Sequence, residues 1–534
     1  MKIFKKLMAL TLTACIVTLA ACGGGGDNGG GGGSILTGDD ALNIYILKHG
    51  FGIEWLTATI EEFKKQDWVK EKYPNLQIGV TYNDLESFAP DKIKGGAGVC
   101  PYDLLFSSYL RGLSEYAYEL TDVYNATVPG ETVKVKDKLS DSMDMIFASV
   151  NDEDGSYHYY ALPWSGGTTG YVYNHEILTS LGYEVPVTTD EWLATCQAIK
   201  ANTTDSYDKD YVFIGSNDGY GYWSYSFTPF VTQYMGVQGV KNFYDGIDEF
   251  NERSNKIFDN KATLRTMEFL EELYDYDKGL VYPNSDDLEF MSAQLGFMTG
   301  NGIFMPNGSW FYNEMTERRE DAIAKGRKVY DIRYLQLPVL SAVIETLPDK
   351  SVTDDATLQK VIRAIDAGAT SYEGVTEADF DRLAEARAVV SEQFEHDVII
   401  PKWSEHKELA CDFLKFFATD IATVACYKAN GCPTPFWYDV KADTELYNSL
   451  SAFEQGRANL LYGNAIYNRN LTPPVTKTPM AMYGGIDFIR RNTQDLYALF
   501  SVKNHTVTAQ KLWQDTKDYW TEERFQEAVR KAGL

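Results

Sequence analysis

The sequence predicts an α/β protein organised around a parallel sheet, and three observations predict it. Short apolar strands alternate with amphipathic helices from Ala41 onward, which places ligand groups at the carboxyl ends of the strands. The chain has 534 residues, enough for two or three domains with a large core. The stretch Leu162-Pro163-Trp164-Ser165-Gly166-Gly167-Thr168 breaks the alternation before a new aromatic strand, Gly170 to Asn174. Pro163 fixes its own φ and biases Leu162 toward extended geometry. Such a stretch is either a crossing between two lobes or an ordinary loop entering a strand.

The amino terminus comes first. Lys2, Lys5 and Lys6 precede a mostly apolar run from Leu7 to Ala21, which ends Leu19-Ala20-Ala21-Cys22. Residues 1–21 therefore read as an export signal. Cys22 after two alanines resembles the lipobox of bacterial lipoproteins, and Gly23 to Gly33 supplies a flexible tether. Residues 22–40 are then a lipid-bearing cysteine and its tether; the alternative is a plain secretory signal with a chance cysteine. Beyond Cys15 and Cys22 the cysteines are Cys100, Cys196, Cys411, Cys426 and Cys432. An odd count without a close CxxC argues against a disulfide framework and against a zinc site. Cys196 and Cys411 fall on apolar helix faces, and Cys426 and Cys432 could pair.

In the first unit, 41–47 alternates as a strand and Leu56, Ile60 and Phe63 share a helix face. Strands follow at 76–82 and 103–106. Their carboxyl-end loops, 48–51, 83–88 and 107–111, bring Lys48, His49, Asn83, Asp84, Tyr109 and Arg111 to the cleft side. After the 162–169 stretch, Thr188 and Glu191 form a capping-box pattern ahead of Trp192, Cys196 and Ile199. A strand is expected at 212–214. Behind it lies SNDGYGYWSYSFTPF, which reads as a ring-rich loop, too polar and glycine-rich for a core helix. An amphipathic helix is expected at 262–277. An apolar strand at 302–305 ends in Asn307-Gly308-Ser309-Trp310, and an indole just past a strand end projects into a cleft. The alternative for Trp310 is that it starts the next helix and packs with Phe311 and Met315. Residues 331–339 read as a strand leading back to the first unit. A helical insert spans 341–397, with Asp355 as cap of a first helix, Gly368 at its end, and Phe380, Leu383 and Val390 on a second.

Several stretches resemble family 1 extracellular solute-binding proteins, the sugar-capturing lipoproteins of bacterial ABC importers. The crossing with its Tyr-Asn ending, and Pro186-Val187-Thr188-Thr189-Asp190-Glu191-Trp192 after it, resemble that family's hinge region. PYDLLFSSYLRGLSEYAYELTDVY resembles a first-lobe segment, GFMTGNGIFMPNGSW a second-lobe segment, and IIPKWSEHKELACDFLKFFAT the return to the first lobe. The resemblance covers nearly the whole mature chain. It implies an α/β, two-lobe, Venus-flytrap fold. The first lobe would be 41–163 plus 330–432, carrying the insert, and the second 164–329 plus 433–534. Further crossings are expected near Tyr330 and at Cys432-Pro433-Thr434-Pro435. It also implies sugar-stacking rings at Trp310, Trp223 and Tyr225, and second-lobe rings at Trp437 and Tyr483; Trp164, in the crossing itself, completes the set.

The expected function is capture of an oligosaccharide for a membrane permease, by a monomer lipid-anchored outside the cytoplasmic membrane. Aromatic faces take the C–H faces of pyranoses, and Asp, Asn, Arg and Lys pair with their hydroxyls. The rival readings are a surface glycan-binding lipoprotein without a transporter and a secreted glycoside hydrolase. No GxxxxGK[ST], HExxH or GxSxG occurs, and six scattered histidines show no defensible metal spacing. No cofactor is expected. A glycosidase needs only two carboxylates, which 76 acidic residues cannot exclude by motif. The net charge of −27 speaks against general nucleic-acid affinity.

Overall fold

The structure is a computed structural model, described here for residues 35–48, 50–139, 147–150, 156–202, 224–274, 278–282, 288–392, 396–432, 434–462, 470–471, 478–489 and 507–534. Among these residues the strands are β1 (Ala41–Leu47), β2 (Gln77–Asn83), β3 (Leu104–Ser108), β4 (Ala148–Val150), β5 (Tyr157–Tyr159), β6 (Leu162–Pro163), β7 (Thr168–Asn174), β8 (Phe304–Gly308), β9 (Ile332–Leu335), β10 (Val389–Glu392), β11 (His396–Ile399) and β12 (Asn470–Leu471).

The first sheet has the order β2-β1-β3-β11-β6. β1 runs parallel to β2 and to β3, with Ile44 opposite Val80 on one side and Leu104 on the other. All seven residues of β1 are buried, as an apolar strand covered on both faces must be. Helix Glu54–Lys65 lays Trp55, Leu56, Thr59, Ile60 and Phe63 on this core. Glu54 in its first turn and Lys64 and Lys65 in its last complement the helix dipole. The same helix meets helix Asp420–Asn430, where Thr59 Oγ1 lies 3.3 Å from Cys426 Sγ. Burial pushes the Cys426 thiol up to about 12, so it behaves as a small core group. Cys196 is buried likewise, in the second core, while Cys411 is only partly buried.

β6 belongs to the first sheet and β7 to the second, so the chain passes between sheets across 164–167. The second sheet runs β12-β10-β7-β8, with β9 also on β7. β7 is antiparallel to β8, β9 and β10. Its two faces enter different clusters. Tyr171 and Tyr173 join Trp192, Phe230, Phe269 and Phe304, and Val172 joins Phe297, Met305, Phe311 and Met315. This follows from the two-residue period of a strand.

The return path differs from the sequence expectation. β9, expected to lead back to the first lobe, pairs with β7 through Tyr171↔Leu335 to Asn174↔Ile332. A strand antiparallel to β7 keeps Tyr334 and Leu335 in second-lobe clusters, so no crossing occurs near Tyr330. β10 also stays in the second sheet, and the chain re-enters the first sheet only at β11. The helical insert therefore ends before Val389. Its helices, Asp355–Asp366 and Glu377–Arg387, enclose a cluster of Leu358, Val361, Ile362, Phe380 and Leu383. Asp354, not Asp355, caps the first helix, accepting from Thr357 N at 2.9 Å. Asp355 instead ties the insert to the second lobe, accepting from Thr188 Oγ1 at 3.0 Å and Ser341 Oγ at 2.7 Å.

The ring-rich stretch also differs. Helix Ser224–Tyr244 begins inside it and buries Ser226, Phe227 and Phe230, because tertiary packing outweighs the weak helix propensity of that segment. The helix breaks at Gly236. Arg382 of the insert bonds the carbonyls of Gln233 and Tyr234 there, the second at 2.8 Å, so the carbonyls freed by the break are satisfied. The strand expected at 212–214 lies outside the described residues. The strand expected at 302–305 is shifted to Phe304–Gly308. Among the described residues no helix is long and apolar enough to cross a membrane.

Candidate functional site

The site is built from the turn that ends β8. Asn307 Oδ1 accepts from Gly308 N at 2.8 Å and shapes the turn. Ser309 N donates to Thr168 O at 2.9 Å, and Thr168 N donates to Ser309 Oγ at 3.0 Å. The first residue of β7 thus fixes the turn from one side. Trp310 follows and lays its indole over Gly308, where a Cβ would lie 2.1 Å from the ring. Only glycine permits that approach.

Trp310 meets the first lobe from the other side. A Cβ on Gly50, in the loop after β1, would stand 3.0 Å from Trp310 Cβ. Trp310 is 3% exposed and clusters with the first core, not with Phe311 and Met315. The packing with Phe311 and Met315 is therefore not seen, and neither is an open cleft ring. The indole is a second-lobe side chain lodged at the first lobe. Tyr225, on the first turn of its helix, presents its ring edge-on to the indole at 5.9 Å and 87°, a favourable quadrupole arrangement.

A chain of polar groups backs the turn. Asn307 Nδ2 donates to Gln294 Oε1 at 3.1 Å, and Gln294 Nε2 donates to Glu314 Oε2 at 2.8 Å. Glu314 N donates to Trp310 O at 2.9 Å and closes the circuit. Burial pushes the Glu314 carboxyl up to about 7, against a smaller opposing effect from Gln294. The sequence reading missed this chain. Its one visible signal is Gln294, a polar residue within the apolar helix FMSAQLGFM.

The first-lobe candidates divide. Lys48 reaches Glu317 across the junction at 3.5 Å, both ends largely solvated. Asn83 is half-buried, accepts from Tyr45 OH at 2.8 Å and fixes Lys48 N through its carbonyl. Asp84 beside it is exposed. Tyr45 titrates above its ordinary range because of burial, with Tyr102 and Asp84 adding to it. Tyr109 follows β3 at φ 61 and is 57% exposed. A bulky side chain in that left-handed region is strained, and such strain gathers where loops carry function. Arg111 is not poised as a loop-tip hydroxyl binder. Its Nε lies 3.0 Å from Asp397 Oδ1, and the other oxygen of that buried carboxylate accepts from Leu110 N and Arg111 N. Its guanidinium also lies 4.9 Å from the Phe147 ring centre. Arg111 braces the loop that carries Tyr109.

Three ring assignments need correction or remain apart. Trp164 is fully buried, stacked on Trp55 at 5.1 Å and 9°, with its Nε1 donating to Ser107 O. It is a core residue, because the crossing starts inside the first core. Trp437 is 51% exposed, beside first-core Phe436, and its N–H donates to Lys138 O. It therefore stands at the first lobe rather than the second. Tyr483 is 61% exposed on the segment Met480–Gly484, packed near Ala528, and no described contact joins it to Trp310. His49, Trp223 and Cys22 lie outside the described residues.

The sequence pattern of the bacterial extracellular solute-binding protein family matches residues 54–343. Many solved structures share the fold. A chitin oligosaccharide binding protein is 14% identical with a TM-score of 0.53, covering 93% of this chain and 100% of its own. Maltose-bound MalE3 of T. maritima is 15% identical with a TM-score of 0.53, covering 90% and 98%. An ABC substrate-binding protein from Listeria monocytogenes, in complex with cycloalternan, is 13% identical with a TM-score of 0.53, covering 92% and 99%. No curated protein sequence matches the chain. With a family match over more than half its length, the chain belongs to the bacterial extracellular solute-binding proteins, and it shares its fold with the solved structures.

Proposed function

We propose that the protein captures an oligosaccharide between its two lobes and hands it to the permease of an ABC importer, held at the cell surface by a lipid on Cys22. The observation that carries the reading is Trp310, a second-lobe indole flanked by Tyr225 and pressed against Gly50 of the first lobe. When the lobes part, Gly50 withdraws and one face of the ring is bared. A pyranose stacking there recovers the apolar contact, and its hydroxyls meet Asn83, Asp84 and Tyr109. Closure over the sugar excludes water and creates a surface for the permease. The protein acts as a monomer and binds without turnover. Of the solved structures named above, one is a chitin oligosaccharide binding protein, one holds maltose and one holds cycloalternan, which supports a carbohydrate ligand.

The test is a melting screen against chitin oligosaccharides, maltose, raffinose and cycloalternan, each at high concentration. A ligand at 100 times its Kd stabilises by about 2.7 kcal/mol. The reading expects a raised melting temperature with one sugar class, and a radius of gyration that shrinks with it. No shift across an extended glycan panel overturns it, and release of shortened sugars would make the protein a hydrolase. Cys22→Ala should abolish detergent-phase partitioning; unchanged partitioning removes the anchor.

A further inference from the structure

The polar chain behind Trp310 is more than scaffolding. Its two amides point one way. Gly308 N donates into Asn307, Asn307 donates into Gln294, and Gln294 donates into Glu314. Asn307 and Gln294 are fully buried, so neither amide can turn over without stranding a donor. Glu314 is the terminal acceptor that fixes this direction, and its own backbone N–H holds the Trp310 carbonyl. One residue thus holds the Trp310 turn at both ends, by its carboxyl through the amide chain and by its backbone N–H at the Trp310 carbonyl.

We propose that Glu314 is a positioning residue for the Trp310 ring and that its protonation state sets how firmly the ring is held for ligand stacking. The proposal rests on the reading of Trp310 as the stacking ring.

The surroundings give the direction. Phe311, three residues before Glu314, and Met315, next to it, both lie in an apolar cluster with Phe297 and Phe453. Gln294 is the described side chain that hydrogen-bonds its carboxyl. Most charged groups on the neighbouring elements are engaged elsewhere, though the buried Nη1 of Arg319 has no hydrogen-bond partner among the described residues. Glu317 pairs with Lys48, Arg319 covers the Tyr312 ring at 4.2 Å, Glu289 caps its own helix, and Glu454 accepts from Ser451 N. Arg318 acts on Glu289. None of these bonds the Glu314 carboxyl among the described residues, so burial governs it. That burial pushes it up to about 7, which places the change within the ordinary working range of a surface protein. Above that pH the carboxylate accepts from Gln294 in a charge-assisted bond, which is why that bond opposes the upward push of burial. Below it the neutral acid is the weaker acceptor and its hold on Gln294 slackens. The amide chain then has a weaker terminal acceptor, and the Asn307-Gly308 turn loosens under the indole.

The experiment labels the full mature chain with 5-fluorotryptophan and assigns the Trp310 fluorine by its loss in Trp310→Phe. Without any sugar, that resonance should move between pH 5.5 and 8.5 with a midpoint near 7. The movement should vanish in Glu314→Gln, which keeps an acceptor oxygen, and should be blunted in Gln294→Ala, which cuts the chain and leaves Glu314 intact. A flat Trp310 resonance overturns the proposal, and so does a titration that survives in Glu314→Gln. The second arm adds the sugar found by the melting screen. Affinity should rise at least threefold from pH 6 to pH 8 in the natural chain and stay level in Glu314→Gln. A Trp310 resonance that titrates but does not respond to bound sugar leaves the coupling in place and refutes the stacking reading instead.

Discussion

The two sheets hold their tryptophans in opposite ways. In the first, Trp164 enters a core that local strand–helix alternation has already built, and it stacks on Trp55 with its N–H satisfied by Ser107 O. In the second, Trp310 stands at the end of a strand in a sheet assembled from residues 168–174, 304–308, 332–335 and 389–392, and it faces outward into the other lobe. One ring is fixed by apolar contacts on all sides. The other is fixed by a turn, two glycines and a chain of hydrogen bonds. A ring held by packing stabilises; a ring held by a turn can be presented to something else.

The largest expected effect separates the two. Trp164→Ala should cost about 3–5 kcal/mol in urea unfolding, the usual cost of truncating a core aromatic. Sugar affinity of the remaining folded protein should be unchanged. Trp310→Ala should cost less stability, because its contact with Gly50 spans a junction that opens. It should lose at least tenfold in affinity, since a stacked ring contributes roughly 0.5–1.5 kcal/mol beyond its buried area. If Trp310→Ala unfolds as readily as Trp164→Ala and binds normally when folded, the contrast collapses and Trp310 is a core ring.

The next effect isolates the turn. Gly308→Ala places a methyl 2.1 Å from the indole, and the ring must leave its position. Affinity should drop about as far as in Trp310→Ala while the first core stays intact, as read by native-state hydrogen exchange at β1 and β3. Gly50→Ala brings its methyl 3.0 Å from Trp310 Cβ, so its effect should be smaller. Equal effects from the two substitutions would mean the lobes cannot part to relieve the second one.

The same contrast explains how much was legible from the sequence. The first sheet was readable because β1, β2 and β3 follow one another with helices between them, and 41–47 alternates openly. The second was not, because β9 and β10 come from separate places and join β7 antiparallel. No local pattern announces such a partner, so 331–339 was placed in the wrong sheet. Trp164 and Trp310 both follow extended segments beside glycines, and sequence alone does not tell which is surrounded. Arg111 shows the same blindness: the carboxylate that claims it, Asp397, lies 286 residues away. Gln294 was the one available hint of the polar chain, a buried amide in a helix that is otherwise apolar but for Ser292 in its first turn.

A smaller effect follows from pH. The folded Glu314 pKa of about 7 lies above its ordinary 4.5. A raised acid binds its proton more tightly folded than unfolded, so its stabilisation is complete below pH 4.5 and is lost as pH rises to 7. Melting temperature should therefore fall across that window and level off above it, after other carboxylates are accounted for by subtracting Glu314→Gln. A difference curve with no slope between pH 5 and 7 would show that the carboxyl reaches water freely.

The smallest effect concerns Lys48 and Glu317, the one described ion pair reaching from the β1 loop to the helix after Trp310. At 3.5 Å with both side chains largely solvated, the pair gains little Coulomb energy and orders two long side chains, which is why exposed pairs are typically worth about 0–1 kcal/mol. It joins the two lobes and not two parts of one core, so its removal acts on closure and leaves the stability of each lobe alone. Lys48→Ala should leave the sugar-free melting temperature unchanged. It should weaken sugar binding by roughly threefold or less at low salt, and by nothing measurable at 1 M salt, where the Debye length is about 3 Å. Glu317→Ala should match it, and the double variant should add nothing. A loss above tenfold in Lys48→Ala alone, persisting at high salt, would mean that the ammonium hydrogen-bonds the sugar directly. The β1 loop would then be a recognition loop in its own right, adding a charged first-lobe group to the hydroxyl partners Asn83, Asp84 and Tyr109, and the contrast would lie in how each ligand group is held and not in which lobe carries it.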